Sequence, residues 1–177
     1  MLTLVGGGSR SGKSAYAENL IKNSATYIAT GIGFDTEMKN RIKKHRERRE
    51  NSNVDWTTVE CQYKIDEGIS LKEYALFDSL GVFTSNVMYE ITKDELTKET
   101  KEKTVEVVVS EIEKLVKIAK KFNSKLIIVT DETGLGVIPE NKVARDYRDI
   151  LGSVNQRVAK MADEVYFVAM GIGVKLK

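Results

Sequence analysis

Residues 7 to 14 read Gly-Gly-Ser-Arg-Ser-Gly-Lys-Ser, and those residue types at that spacing suit one task, the holding of phosphate. Gly7, Gly12, Lys13 and Ser14 fill the fixed positions of the pattern G-x-x-x-x-G-K-[ST], with Gly8, Ser9, Arg10 and Ser11 between them. Glycines let successive backbone N–H groups turn inward around a β-phosphate, and a helix starting at the end of the loop adds its positive end. Lys13 is placed to reach the β- and γ-phosphates, and the Ser14 hydroxyl to ligate Mg²⁺. Two acidic positions compete for a second metal contact. Asp78 ends the apolar run Tyr74-Ala75-Leu76-Phe77, and Asp131-Glu132 follow Leu126-Ile127-Ile128-Val129. A carboxylate at either strand end could hold Mg²⁺ directly or through water, or could merely cap the next turn.

The elements needed to position this loop are legible around it. Leu2-Thr3-Leu4-Val5 predicts a short strand before the loop, and Lys13 to Ile21 a helix after it. Further strands are expected at 25–30, 57–60, 74–77, 126–129 and 165–169. Helices are expected from about Thr36 to Arg49, over 105–122 and from about Lys142 to Met161. The charged stretch from Glu90 to Lys103 reads as a solvated connection or a helix start. Strands alternating with long helices imply right-handed crossovers, and hence a three-layer α/β fold of P-loop NTPase type with a mostly parallel sheet. Ligands of such sheets bind beyond the carboxyl ends of the strands. The loop, Thr30-Gly31, Asp78 and Asp131-Glu132 all fall there.

The single histidine, His45, lies within a basic run from Arg41 to Arg49. On a helix, positions 41, 45, 48 and 49 share a face, so three arginines would surround one imidazole. Neighbouring positive charge lowers a histidine pKa and leaves more of it neutral and nucleophilic. The same arginines could neutralise a phosphoryl group in transfer. The plainer alternative is a solvated basic face carrying an incidental histidine. Without interleaved aromatic residues, this run is a poor nucleic-acid surface.

Bulk properties narrow the class. The chain has 177 residues, 41% hydrophobic and 31% charged, with a net charge of +2, which fits one globular domain over 1–177 and argues against a nucleic-acid partner. Cys61 is the only cysteine, so no internal disulfide can form, and a reducing cytoplasm is the expected setting. Cys61 itself reads as a buried or incidental thiol. No apolar run approaches the roughly 18 residues of a membrane span, and none resembles a signal peptide.

The order of motifs along the chain adds a resemblance. The loop at 7–14 with Ala17-Glu18, then Tyr27-Ile28-Ala29-Thr30, Arg41-Ile42, His45-Arg46, Trp56, Val59-Glu60 and Leu76-Phe77-Asp78-Ser79-Leu80 resembles the CobU family. The likeness is strongest from Glu132 to Asn141 and runs on through Tyr147-Arg148-Asp149, Val154-Asn155-Gln156-Arg157 and Ala162 to Tyr166. That family joins adenosylcobinamide kinase and adenosylcobinamide-phosphate guanylyltransferase in one chain. The resemblance implies ATP or GTP, adenosylcobinamide and its phosphate as substrates, Mg²⁺ as cofactor, and a homotrimer. It also implies that His45 attacks the α-phosphate of GTP and carries GMP. Ala29, Thr30, Gly31, the segment Arg46-Glu47-Arg48-Arg49, Glu60 and Asp78 match positions contacting the nucleotide.

This chain departs from the family's pattern at Asp131, where Asn is common, and at Gly171-Ile172-Gly173, which lacks a frequent proline. A kinase that never forms a guanylylated histidine is a rival reading. So is a GTPase-like switch, although Asn141-Lys142-Val143-Ala144 lacks the acid that a guanine motif needs.

Overall fold

The computed structural model describes residues 1–31, 43, 46–92 and 96–177. Most of the helix expected over 36–49, including Arg41 and His45, lies outside the described residues; its last turn, 46–50, is helical. Seven strands are present among the described residues: β1 Leu2–Gly7, β2 Ser24–Ala29, β3 Asp55–Glu60, β4 Tyr74–Asp78, β5 Lys125–Asp131, β6 Glu164–Ala169 and β7 Ile172–Lys175. They form one sheet in the order β3-β2-β4-β5-β1-β6-β7. All neighbours are parallel except β6 and β7, which form an antiparallel hairpin. Four longer helical elements accompany them: α1 Lys13–Asn19, α2 Leu80–Thr92, α3 Lys98–Lys121 and α4 Lys142–Met161.

The inner parallel strands β1, β2, β4 and β5 bury both faces, which explains why 74–77 and 126–129 read as continuous apolar runs. One face carries Leu4, Ile28, Ala75, Phe77, Leu126 and Ile128 against α2, α3 and α4. Phe77 meets Phe83 of α2 edge-on, with ring centroids 5.4 Å apart. The opposite face carries Val5, Tyr27, Leu76, Ile127 and Val129 against Ala17 of α1. Because side chains alternate along a strand, Gly7, Ala29, Glu60, Asp78 and Asp131 continue this second face at the carboxyl ends. The acids therefore gather on the side of the sheet where the loop feeds α1.

The structure changes several sequence expectations. The first helix ends at Asn19, where Leu20 closes its last turn, two residues before the expected end. α2 is not foreseen: Leu80, Phe83, Val87 and Met88 are buried on it, and it follows β4 without a loop of its own. α3 starts at Lys98, inside the charged stretch, because Thr97 and Thr100 cap it reciprocally. β7 is also new, a four-residue edge strand joined to β6 by Met170-Gly171. Both turn residues have positive φ (54° and 80°), the geometry of a tight hairpin whose twist matches its strands.

Candidate functional site

The loop between β1 and α1 is folded by close approaches that only glycine permits. A β-carbon on Gly7 would lie 2.5 Å from both Ser11 Oγ and the Val168 carbonyl oxygen of β6. Gly12 has φ +93° and stands 3.0 Å from the Cα of Gly171, measured from where its own β-carbon would be. Gly171 N–H donates to the Ser11 carbonyl at 2.8 Å, so the β6–β7 turn buttresses the loop from outside. Ser9 and Arg10 are exposed, and Arg10 adopts a left-handed conformation with φ 56°. The Ser11 hydroxyl is buried with no hydrogen-bond partner among the described residues.

Lys13 is buried at the start of α1. Its Nζ donates to the Gly8 carbonyl at 3.1 Å and pairs with Asp131 Oδ1 at 2.7 Å. The two acids that compete in the sequence thus have different surroundings. Asp131 sits beside Gly7 in the β1–β5 register and meets the lysine. Asp78 lies one strand further, level with Ala29 of β2, which is level in turn with Glu60 of β3. Its charge is felt by Tyr27, whose phenol burial raises most and Asp78 raises further. Glu60 is exposed on the edge strand. Glu132 accepts from the Gly134 N–H and so shapes the turn after β5.

Thr30 and Gly31 continue from β2. Thr30 is buried and stitches two strand ends together: its hydroxyl accepts from Ser79 N–H at 2.8 Å and lies 3.0 Å from the Ser79 carbonyl. Asn86 of α2 donates to the carbonyls of Thr30 and Gln62, at 2.9 and 2.7 Å. Asn155 of α4 accepts from Thr130 Oγ1 at 2.6 Å and donates to the Asp131 carbonyl at 3.0 Å. Tyr147 hydrogen-bonds the Gly81 carbonyl at 3.0 Å. Asn86 has no sequence signal as a positioning residue; Asn155 and Tyr147 stand out only as members of the family motifs, because a lone polar side chain in a helix does not announce its partner.

The basic turn 46–50 is docked by two of its arginines. Arg48 grips Glu18 of α1 with two nitrogens, Nε at 2.5 Å and Nη2 at 3.0 Å from the carboxylate oxygens. Arg49 is buried, with its guanidinium carbon 3.5 Å from the Tyr27 ring centroid and 5.9 Å from that of Trp56. Its Nη1 is buried with no hydrogen-bond partner among the described residues. Arg46 pairs with Glu50, and Glu47 lies 3.8 Å from Lys43, both along the exposed side. The segment that directly follows His45 is therefore fastened to α1 and β2. A cavity of about 260 Å³ lies between α1 and this turn, lined by Glu18, Arg48, Arg49 and Trp56 among others. Cys61 is buried and its thiol pushed up by burial, the profile of an inert core cysteine.

No group of three His, Cys, Asp or Glu side chains gathers as a metal cage among the described residues. Separate hard oxygen donors, Ser14, Asp78 and Asp131, at the carboxyl edge fit Mg²⁺, which prefers one or two carboxylates together with substrate phosphates.

A mostly parallel seven-stranded sheet with helices on both faces, and a G-x-x-x-x-G-K-S loop between β1 and α1, define an α/β protein of the P-loop NTPase-like class. The sequence profile of the cobinamide kinase / cobinamide phosphate guanyltransferase family, CobU, matches residues 3–176. This chain belongs to that family. It is 39% identical to the bifunctional adenosylcobalamin biosynthesis protein CobU of Escherichia coli, and 37% identical to the protein of that name from Salmonella typhimurium, over the full length of each. The bifunctional adenosylcobalamin biosynthesis protein CobP of Pseudomonas aeruginosa is 32% identical, over all of this chain and 98% of the relative.

Proposed function

We propose that this chain carries both activities for which its family is named. It phosphorylates the hydroxyl of adenosylcobinamide from ATP or GTP, then moves GMP from GTP onto the resulting phosphate. The observation that carries the reading is the Lys13 ammonium, buried in the β1–α1 loop and already holding an anion, in a chain matched by the family over nearly its whole length.

The division of labour follows from the residues. Backbone N–H groups of the loop surround the β-phosphate, and Lys13 neutralises charge on the β- and γ-phosphates. Ser14 and Asp78 would hold Mg²⁺, which when bound neutralises phosphate charge and orients the leaving group. Guanylyl transfer uses His45. Its neutral ring nitrogen attacks the α-phosphorus of GTP; a P–N bond forms as the bond to the bridging oxygen breaks and pyrophosphate leaves. The phosphate oxygen of adenosylcobinamide phosphate then attacks the same phosphorus. A new P–O bond replaces P–N, which gives adenosylcobinamide-GDP and returns the histidine. Splitting one transfer into two lets the same loop serve both steps. Arg48 and Arg49 fasten the residues that follow His45, and Ala29, Thr30, Gly31, Arg46, Glu47 and Glu60 border the nucleotide. The working form in this reading is a homotrimer in the cytoplasm, as the family resemblance and the lone cysteine suggest.

Incubation with GTP labelled at the α-phosphate, with Mg²⁺ and without corrinoid, tests the covalent step. An acid-labile, base-stable protein label is expected on the wild type and absent from His45→Ala. A wild type that binds GTP but takes up no label, or a His45→Ala protein that takes it up equally, removes the histidine from the mechanism.

A further inference from the structure

The reaction needs Lys13 to meet phosphate, yet Lys13 already has an anionic partner in Asp131, at 2.7 Å. The contact is built rather than incidental. The Asp131 carbonyl is held by Asn155 Nδ2 at 3.0 Å, and the next N–H, that of Glu132, donates to the Gly7 carbonyl at 3.0 Å. Asp131 is thereby locked to the strand that carries the loop. Its other oxygen, Oδ2, occupies a notch in the first turn of α2, where a β-carbon on Gly81 would come within 2.7 Å of it and 3.1 Å of the Tyr147 hydroxyl. Glycine at 81 leaves room for this carboxylate. The phenol of Tyr147 is raised by burial first and by the charge of Asp131 second.

An anion fixed on the phosphate-binding lysine does not treat all nucleotides alike. A triphosphate without metal brings about four negative charges beside a carboxylate and competes with it for one ammonium. A Mg²⁺-bound triphosphate brings less net charge, and offers the carboxylate a cation when Lys13 turns to the phosphates. Carboxylate oxygen is a preferred Mg²⁺ donor, directly or through water.

We propose that Asp131 is a specificity-determining residue which makes the phosphate loop reject metal-free nucleoside triphosphate and accept the Mg²⁺-bound form. The proposal rests on the phosphate-loop reading of the site above. It assigns Asp131 a role separate from the direct phosphate contact of Lys13. It also gives a physical meaning to the one position in the strand-end motif where this chain carries an acid and the family pattern commonly carries Asn.

The test is equilibrium binding of GTP by calorimetry, in EDTA and in excess Mg²⁺, for wild type, Asp131→Asn and Asp131→Glu. The quantity read is the ratio of the two dissociation constants, metal-free over Mg²⁺-bound. In Asp131→Asn, metal-free GTP should tighten by about ten-fold while Mg²⁺-bound GTP does not tighten, so the ratio falls. Asp131→Glu, which keeps the charge, should hold the ratio near that of wild type. A ratio that falls by less than about three-fold in Asp131→Asn, or rises, overturns the proposal, whatever happens to affinity as a whole. A thermal melt checks folding, and Asp131→Ser supplies a second neutral side chain if the Asn variant is unfolded. Wild type that binds GTP in neither buffer would instead remove the phosphate-loop reading itself.

Discussion

Of two adjacent glycines in the phosphate loop, one should be sensitive to an added methyl group and the other indifferent to it. At Gly7 an added β-carbon would stand 2.5 Å from the Val168 carbonyl oxygen and 2.5 Å from Ser11 Oγ. Close carbon–oxygen contacts in proteins settle near 3.3–3.6 Å, so about 0.8–1.1 Å must be found. The Ser11 hydroxyl could rotate away, but Val168 is backbone paired with Gly7 across the β1–β6 ladder, and Asp131 pairs with Gly7 on the other side. Relief must come from prising the sheet apart or lifting the loop. Overpacking of this kind costs about 1–3 kcal/mol. For a chain of this length, each kcal/mol moves the melting temperature by about 2–4 °C, so Gly7→Ala should melt roughly 2–12 °C lower. A loop displaced by about an ångström should also lose ten-fold or more in GTP affinity. At Gly8 nothing lies within 4 Å of the added carbon, and its φ is not positive. Gly8→Ala should therefore stay within about 0.5 kcal/mol of wild type. Thermal melts and GTP calorimetry on the two variants, side by side, decide the matter. Equal melting of both with wild type, or a lower melt for Gly8→Ala, would refute the packing argument.

Two further substitutions probe the supports of the site. Arg49→Lys keeps the charge but loses the planar stack on Tyr27, and should destabilise by about 1–2 kcal/mol and reduce α-GTP labelling; a melt and a labelling yield equal to wild type would show that the turn is held by other contacts. Asp146 joins α3 to α4, accepting from Lys101 and from Lys142, the latter at 2.8 Å, and these hydrogen bonds hold its carboxyl below the usual carboxylate range. A depressed carboxylate stabilises the fold above its unfolded pKa of about 3.9, and that contribution fades as pH falls through the lower folded value. Asp146→Asn should accordingly melt lower than wild type at pH 7, with the gap closing below about pH 4; a constant gap down the pH range would contradict the assignment.

The parts of this protein written as local patterns were legible in the sequence, and those written as register were not. The phosphate loop announces itself because fixed glycines, a lysine and a serine have no common alternative use. α4 emerges over Lys142–Met161 because its apolar positions recur at helical spacing and Asn141 caps it by accepting from Val143 and Ala144. α2 escapes notice because apolar and β-branched residues crowd its sequence, Leu-Gly-Val-Phe-Thr-Ser-Asn-Val, with no polar face to set a period. β7 escapes because it is short, exposed and holds a glycine at 173, which makes room for the Tyr16 ring. Asp78 and Asp131 look equivalent along the chain. Only strand order separates them, since β5 lies beside β1 and β4 does not. Arg48 and Arg49 likewise read as members of one basic face, although one is anchored on Glu18 and the other is sunk against Tyr27.

The hairpin turn at Met170-Gly171 has a consequence for how the protein is made. β1 and the phosphate loop leave the ribosome well before β5 and β6, yet β1 lies between those two strands, whose residues follow more than a hundred positions later. The loop then receives its outer brace, Gly171 N–H on the Ser11 carbonyl, from the turn after β6. The phosphate loop is thus completed by a turn synthesised about 160 residues after it. A nascent chain stalled before residue 164 lacks the outer brace of the loop, and leaves the edge of β1 toward β6 unpaired and open to unwanted association. The outer brace of the phosphate loop therefore exists only once synthesis has passed β6 and its turn.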